Sequence, residues 1–245
     1  MTQNGLINVD FNALPATSIG SQELMDDIAK GADFLGRLQL FGKGKAVETN
    51  LIRAGHYGIP VSAEEIIDLG PSIDILPLAK RPKAIDMSDR PVISVYDEND
   101  PEFKRIRAQS DVKNSGCQFG PSFLVIERST GRLLEYFLGA PTHRPEAKKI
   151  YPNCPLTPAD IARLKEADVD VTGMEPHGPI QLTLKSKYIE REFSWWVPVV
   201  LECSTPFTKT PKAEAIFKEI EKFLTAKTEV EAAPAEETKK SGRRR

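Results

Sequence analysis

The chain has 245 residues, 40% of them hydrophobic and 28% charged, with a formal net charge of −2. That is a folding chain long enough to bury a substantial core, and its near-neutral balance excludes polyanion binding through a global field; any such binding must come from local clusters. No apolar run approaches the ~18–20 residues that cross a bilayer, and residues 1–21 lack the basic start and apolar block of a secretory signal. Cys117, Cys154 and Cys203 are few, odd in number and far apart, which predicts free thiols in a reducing cytoplasm.

Residues 1–20 are polar with scattered apolar positions and no period, and read as a flexible arm. Ser21 then fits the N-cap of a short helix whose Leu24, Ile28 and Ala32 share a face. Leu38 and Leu40 alternate with polar neighbours and predict a strand. The next segment, up to Pro60, is rich in glycine and carries Lys43, Lys45, Arg53 and His56; it reads as a loop, with or without a short strand inside it. Ser62-Ala-Glu-Glu65 fits a capping box for at most two helical turns, stopped by Gly70-Pro71, after which Ile73, Ile75 and Pro77 begin a strand.

Val92–Tyr96 is a compact β-branched strand, and Asp100-Pro101 supplies the N-cap and first residue of a basic helix. The clearest hairpin follows, with Phe123–Ile126 and Leu133–Leu138 flanking a turn at Ser129–Gly131. Residues 141–179 shift towards Pro, Lys and Ala and read as an insertion between strands, or as a small helical subdomain, with a short helix starting at Thr157-Pro158. Ile180 to Leu201 is a second hairpin that turns near Glu190–Glu192. Thr210-Pro211 starts another helix, with Ala213, Ile216, Phe217, Ile220, Phe223 and Leu224 at helical spacing. From about Ala226 the composition predicts a disordered charged tail ending KKSGRRR. The organisation is therefore an arm (1–20), one domain (21–225) and a tail (226–245), with no internal repeat. Strands outnumber helices and strict strand–helix alternation is missing. The expected class is α+β: an antiparallel β-rich sheet or small OB-like barrel with flanking helices.

The candidate chemistries are thin. Gly42-Lys-Gly-Lys45 lacks the Ser/Thr of a Walker loop, since Ala46 follows Lys45; a flexible basic loop still suits phosphate contacts without hydrolysis. His56, His143 and His177 are isolated from one another and from the cysteines, so zinc spacing is absent and no metal site is expected. Asn114-Ser-Gly-Cys117 is a turn with a buried thiol rather than a nucleophile, because nothing nearby supplies a base. Asp97-Glu-Asn-Asp100 offers carboxylates, but Asp100 is already explained as a helix cap. The expectation is a protein with no catalytic residues and no cofactor.

The second hairpin holds both tryptophans. Strict alternation puts Phe193, Trp195, Val197, Val199 and Leu201 on a core face, and Ser194, Trp196, Pro198 and Val200 on the other, with Pro198 marking an edge or bulge. On the partner strand Lys185 and Lys187 share one face, and Leu182, Leu184 and Tyr188 the other. Trp196 is then either covered by the helix from Pro211 or free to stack on unpaired bases, which contributes roughly 1–3 kcal/mol per base. In that second reading Lys43, Lys45, Lys185, Lys187 and Arg191 contact phosphates, and Trp196 and Tyr188 stack. The basic tail adds salt-sensitive attraction or merely solubilises.

In its order of parts the chain resembles a loose group of tailed-bacteriophage proteins: an arm, a short helix, a strand opening with an Arg-Leu-x-Leu element (here Arg37-Leu-Gln-Leu40), a β-rich body and a charged tail. That resemblance implies an oligonucleotide-binding type of barrel and single-stranded-DNA binding in phage DNA replication or recombination, in the host cytoplasm. The implied partners are single-stranded DNA, or RNA, together with further copies of the chain or replication proteins, and no membrane. Single-strand-binding proteins of bacteria and phages often end in an acidic tail, whereas this chain ends in Arg243-Arg-Arg245, which points to direct nucleic-acid contact rather than tail-mediated recruitment. The competing expectation is a virion structural or assembly protein that binds no nucleic acid; an enzyme assembled from distant loops ranks third.

Overall fold

The computed structural model describes residues 35–88, 91–156, 158–175, 179–206 and 214–230. In chain order its elements are β1 (Gly36–Phe41), α1 (Lys45–Glu48), β2 (His56–Pro60), β3 (Ile66–Gly70), β4 (Ser72–Asp86), β5 (Ile93–Val95) and α2 (Pro101–Gln109). They continue with β6 (Cys117–Glu127), β7 (Arg132–Phe137), α3 (Arg144–Ile150), a 3-10 turn at Tyr151–Asn153, α4 (Pro158–Glu166), β8 (Ile180–Glu190), β9 (Ser194–Pro206), α5 (Glu214–Thr225) and β10 (Thr228–Val230). The arm, the helix expected at Ser21, Thr210-Pro211 and residues 231–245 lie outside the described residues.

The long strand β4 organises the rest. One of its edges pairs along its length with β6; its other edge is shared, β8 taking Ser72–Ile75 and β5 taking Ala84–Asp86. Pro77 and Pro82 both fall in the gap between those two partners, where a missing N–H leaves no ladder bond unmade. The main path runs β10-β5-β4-β6-β7-β1-β2-β3, with β8 and β9 branching from β4. Every pairing is antiparallel except β1 with β7. The class is α+β with a large antiparallel-dominated sheet, as expected, but the sheet is open. The OB-like barrel is thereby corrected: among the described residues no strand joins β3 to the β8–β9 branch, so the sheet is not a closed barrel.

The sheet has two unlike faces. On the first, Leu38, Tyr57, Ile75, Phe123 and Tyr136 meet Leu182 and Leu184 of β8, with Ala147 and Ile150 of α3 packed over them. α2 extends this layer by seating Phe103 and Ile106 on Ala84 and Val95, and its start is as expected: the Asp100 side chain accepts from the Glu102 N–H and Pro101 occupies the first turn. The second face carries charge. Arg81 and Lys83 of β4 both reach Glu135 of β7, Lys83 at 2.6 Å, and the Ser122 hydroxyl donates to the same carboxylate at 2.6 Å. The Arg81 guanidinium lies between the rings of Tyr96 and Phe223 and donates to the Phe223 carbonyl, one of the carbonyls left open at the C-terminus of α5.

Two local expectations fail for physical reasons. Ser62–Glu65 forms no helix: the Ser62 hydroxyl accepts from the Glu64 N–H in a tight turn, and the β-branched pair Ile66-Ile67 joins β2 as a strand. Thr228–Val230, within the segment read as tail, pair with β5.

Candidate functional site

The β8–β9 hairpin turns at Arg191–Phe193, as the sequence predicts, but its faces are the reverse of strict alternation. Leu182 and Leu184 are fully buried, and Val200, opposite Leu184, shares their face and packs on the core. The register shifts between Thr183 and Leu184, so Leu201 is the extra residue of a bulge and is 48% exposed. Trp196, Pro198 and Val200 therefore form the inner row. Phe193, assigned to the core by alternation, is 68% exposed at the tip. Trp195 is half-buried on the outer row, and its indole N–H is buried without a hydrogen-bond partner among the described residues.

β9 is an edge strand, and α3 guards it. The His143 Nε2 lies 3.2 Å from the Trp196 carbonyl oxygen and donates to it, while Glu146 accepts from the Val200 N–H at 3.0 Å. Between them Pro198 has no N–H to offer. A further strand finds few open groups there. Burial holds the imidazole of His143 below the usual histidine range, against the opposing bond to Trp196, so the ring serves this edge in its neutral form.

Among the described residues α5 sits over Arg81 rather than Trp196. The cover of Trp196 is the connection between β1 and β2. A side chain at Gly55 would place its Cβ 2.6 Å from the indole, and Gly55 has φ +82, so both the close approach and the backbone require glycine. Gly42 approaches the other end of the ring, where a Cβ would lie 3.4 Å from Cδ1. Tyr188, directly across from Trp196, packs on it with ring centroids 5.1 Å apart and is itself 45% exposed. Trp196 thus backs a Tyr188 ring that shares its inner face yet stays partly exposed beyond the core.

The residues singled out from the sequence fall around this hairpin. Lys43 and Lys45 are exposed on the connection that seats Trp196. Lys185 and Lys187 are exposed on the face of β8 opposite Tyr188, and Arg191 is exposed in the turn. Among the described residues β8 has no partner on its β4 side beyond Ser186, so residues 187–197 form a two-stranded ribbon, covered at Trp196 by the β1–β2 connection and exposed at Lys187, Tyr188, Arg191 and Phe193. Two residues were missed. Phe193 was hidden by the wrong choice of inner row. Lys113, whose ammonium lies 6.0 Å from the Phe193 ring centroid, comes from a distant turn that no spacing rule connects to the hairpin. Glu190 and Glu192 are also exposed here, so the local positive excess is small.

The same connection carries a second feature. The β1–β2 connection continues from Gly55 back through Ala54, which with Val47, Asn50, Leu51, Arg53 and Asp68 lines a surface depression of about 420 Å³. The Asp68 carboxylate is held from two sides: His56 Nδ1 is 2.9 Å from both of its oxygens, and the Gly70 N–H donates to Oδ1 at 2.8 Å.

Cys117 and Cys154 are buried free thiols, and burial pushes both upward, Cys154 to about 12. Among the described residues no group of three His, Cys, Asp or Glu side chains is arranged to hold a metal ion. Compared with known proteins, the chain matches no family model, no curated protein and no solved structure.

Proposed function

We propose that the protein binds single-stranded nucleic acid through the β8–β9 hairpin, without catalysing a reaction on it, in the phage replication or recombination setting that the sequence resemblance implies. The observation that carries this reading is the pair of solvent-facing rings, Tyr188 and Phe193, on a ribbon flanked by exposed Lys185, Lys187 and Arg191, with Lys113 beside Phe193. Aromatic faces exposed to water gain contact area when bases stack on them, and any base can do so. Lysine and arginine on a narrow twisted ribbon reach phosphates on either side of the stacked bases. Trp196 keeps Tyr188 upright rather than stacking itself. With four basic groups at the ribbon, about four phosphates are neutralised, and the salt slope is about −3.

The test is a fluorescent oligonucleotide titration at two salt concentrations with tryptophan emission followed in parallel. The reading predicts saturable binding, a modest salt dependence and an emission change as Tyr188 is covered. A second reading is favoured by a different observation. Trp195, Val197, Val199 and Leu201 form a partly exposed apolar row on the outer face of β9, suited to assembly with another protein. Unchanged emission and no oligonucleotide binding at micromolar protein, together with concentration-dependent self-association, would favour it.

A further inference from the structure

We infer that α2 and the turn after it extend the contact surface of the ribbon, so that a strand whose bases stack on Tyr188 and Phe193 lays its next phosphates on Lys113, Arg107 and Lys104. This deepens the hairpin reading and rests on it. A closed ring of contacts joins the two surfaces. His143, at the start of α3, donates from Nε2 to the Trp196 carbonyl oxygen at 3.2 Å. Its neighbour Arg144 donates to Asp111 at 2.9 Å and to the Ser110 hydroxyl at 3.2 Å, which ties the turn after α2 to the same point. In that turn the Lys113 ammonium lies 6.0 Å from the ring centroid of Phe193, on the strand that carries Trp196. The turn therefore sits beside the tip of the ribbon, and α2 leads away from it.

The charges on this segment are unevenly matched. From Glu102 to Lys113 the chain carries Lys104, Arg105, Arg107 and Lys113 against Glu102 and Asp111. Both acids are engaged: Glu102 pairs with Arg105, which also holds Asp86, and Asp111 pairs with Arg144. Lys104, Arg107 and Lys113 are exposed, and among the described residues no acid is ion-paired with them. Glu190 and Glu192 are exposed in the hairpin turn, so the positive excess lies on α2 rather than at the tip. Arg107 is held by a ring instead of an acid, its guanidinium 4.9 Å from the Phe119 centroid. A ring positions the planar group without neutralising it and leaves its N–H donors for an outside acceptor. Lys104 lies three positions earlier, a neighbour of Arg107 on the helix surface, while Phe103 and Ile106 are buried on the sheet. Arg144 also lies over Phe119, at 5.6 Å, but gives its donors to Asp111, Ser110 and the Gly139 carbonyl; it positions the turn rather than the strand. A row of unneutralised cations leading away from exposed rings is what tracking an unpaired backbone requires.

The experiment titrates the full chain with dT4, short enough to occupy the ribbon alone, and with dT15, which continues onto α2, each over a range of salt. The wild type is expected to bind dT15 more tightly and with the steeper salt dependence. Arg107→Gln should lower the dT15 salt slope by about 0.7, one phosphate contact on a single strand, and so weaken binding about fivefold at about 0.1 M salt. Its dT4 affinity should match the wild type. Arg107→Lys, which keeps the charge, should restore the slope, and Lys113→Gln, at the junction, should weaken both oligonucleotides. If Tyr188→Ala weakens both while Arg107→Gln and Lys104→Gln together leave dT15 affinity and slope unchanged, α2 carries no strand and the hairpin reading stands. An equal loss for dT4 and dT15 in Arg107→Gln would mean that the arginine acts through the fold of the ribbon, which overturns the extension. If neither oligonucleotide binds, both readings fall.

Discussion

The molecule carries two clusters of basic and aromatic side chains, and they differ in what surrounds them. On the second face of the sheet, Lys83 is 1% exposed and Arg81 lies between two rings, both tied to one carboxylate. On the β8–β9 ribbon, Lys185, Lys187, Arg191, Tyr188 and Phe193 are exposed, and among the described residues none of the three cations is ion-paired to an acid. The residue types are alike, and burial separates their roles. A desolvated cation must be neutralised inside the fold and so serves architecture; a solvated one keeps its donors for an external anion.

The largest expected effect lies in the buried cluster. Burial opposes ionisation of Glu135, but Lys83, Ser122 and Arg81 outweigh it and hold its carboxyl below the usual range. Glu135→Ala would leave two buried cations around an empty acceptor, and should cost about 3–5 kcal/mol in urea unfolding. A loss below about 1 kcal/mol would show that solvent reaches the cluster and would erase the contrast. Next, Gly55→Ala drives a methyl into the Trp196 ring at a positive φ and is expected to cost about 1–3 kcal/mol, with a shift in tryptophan emission. Emission and stability both unchanged would mean that the β1–β2 connection does not seat the indole.

The edge of β9 adds a pH dependence. His143 has a folded pKa below its ordinary 6.5, so its contribution is complete above about pH 6.5 and is lost as pH falls towards the folded value. Thermal melts from pH 8 to pH 5 should therefore show a decline below pH 6.5 that His143→Gln lessens. A decline of equal size in the variant would assign it to other groups. The smallest effect belongs to the ribbon: Tyr188→Ala should change stability by no more than about 0.5 kcal/mol, since the ring is nearly half exposed.

How far the sequence carried the reading follows from the same contrast between local and tertiary causes. Asp100-Pro101, the Ser129–Gly131 turn and the turn after Glu190 are set by neighbouring residues, and each lies where local chemistry puts it. The inner row of β9 was misread because alternation alone favours the row with more apolar side chains; a bulge at Leu201 and the pairing with Leu182 and Leu184 decide otherwise. The helix read at Ser62 was overridden by pairing of Ile66 and Ile67 with β2. The Arg81–Glu135–Lys83 cluster was invisible because its members are fifty residues apart and join only across β4, β6 and β7. The same holds for the glycine contacts that seat Trp196.

The central claim is that the ribbon's solvent-facing rings bind unpaired bases and contribute little to the fold. Its most direct test is the double variant Tyr188→Ala/Phe193→Ala, with oligonucleotide affinity and urea unfolding measured on the same preparation. The account predicts at least a tenfold loss of affinity, as stacking at about 1–3 kcal/mol per base requires, with the unfolding midpoint nearly unchanged. Wild-type affinity in that variant would contradict it.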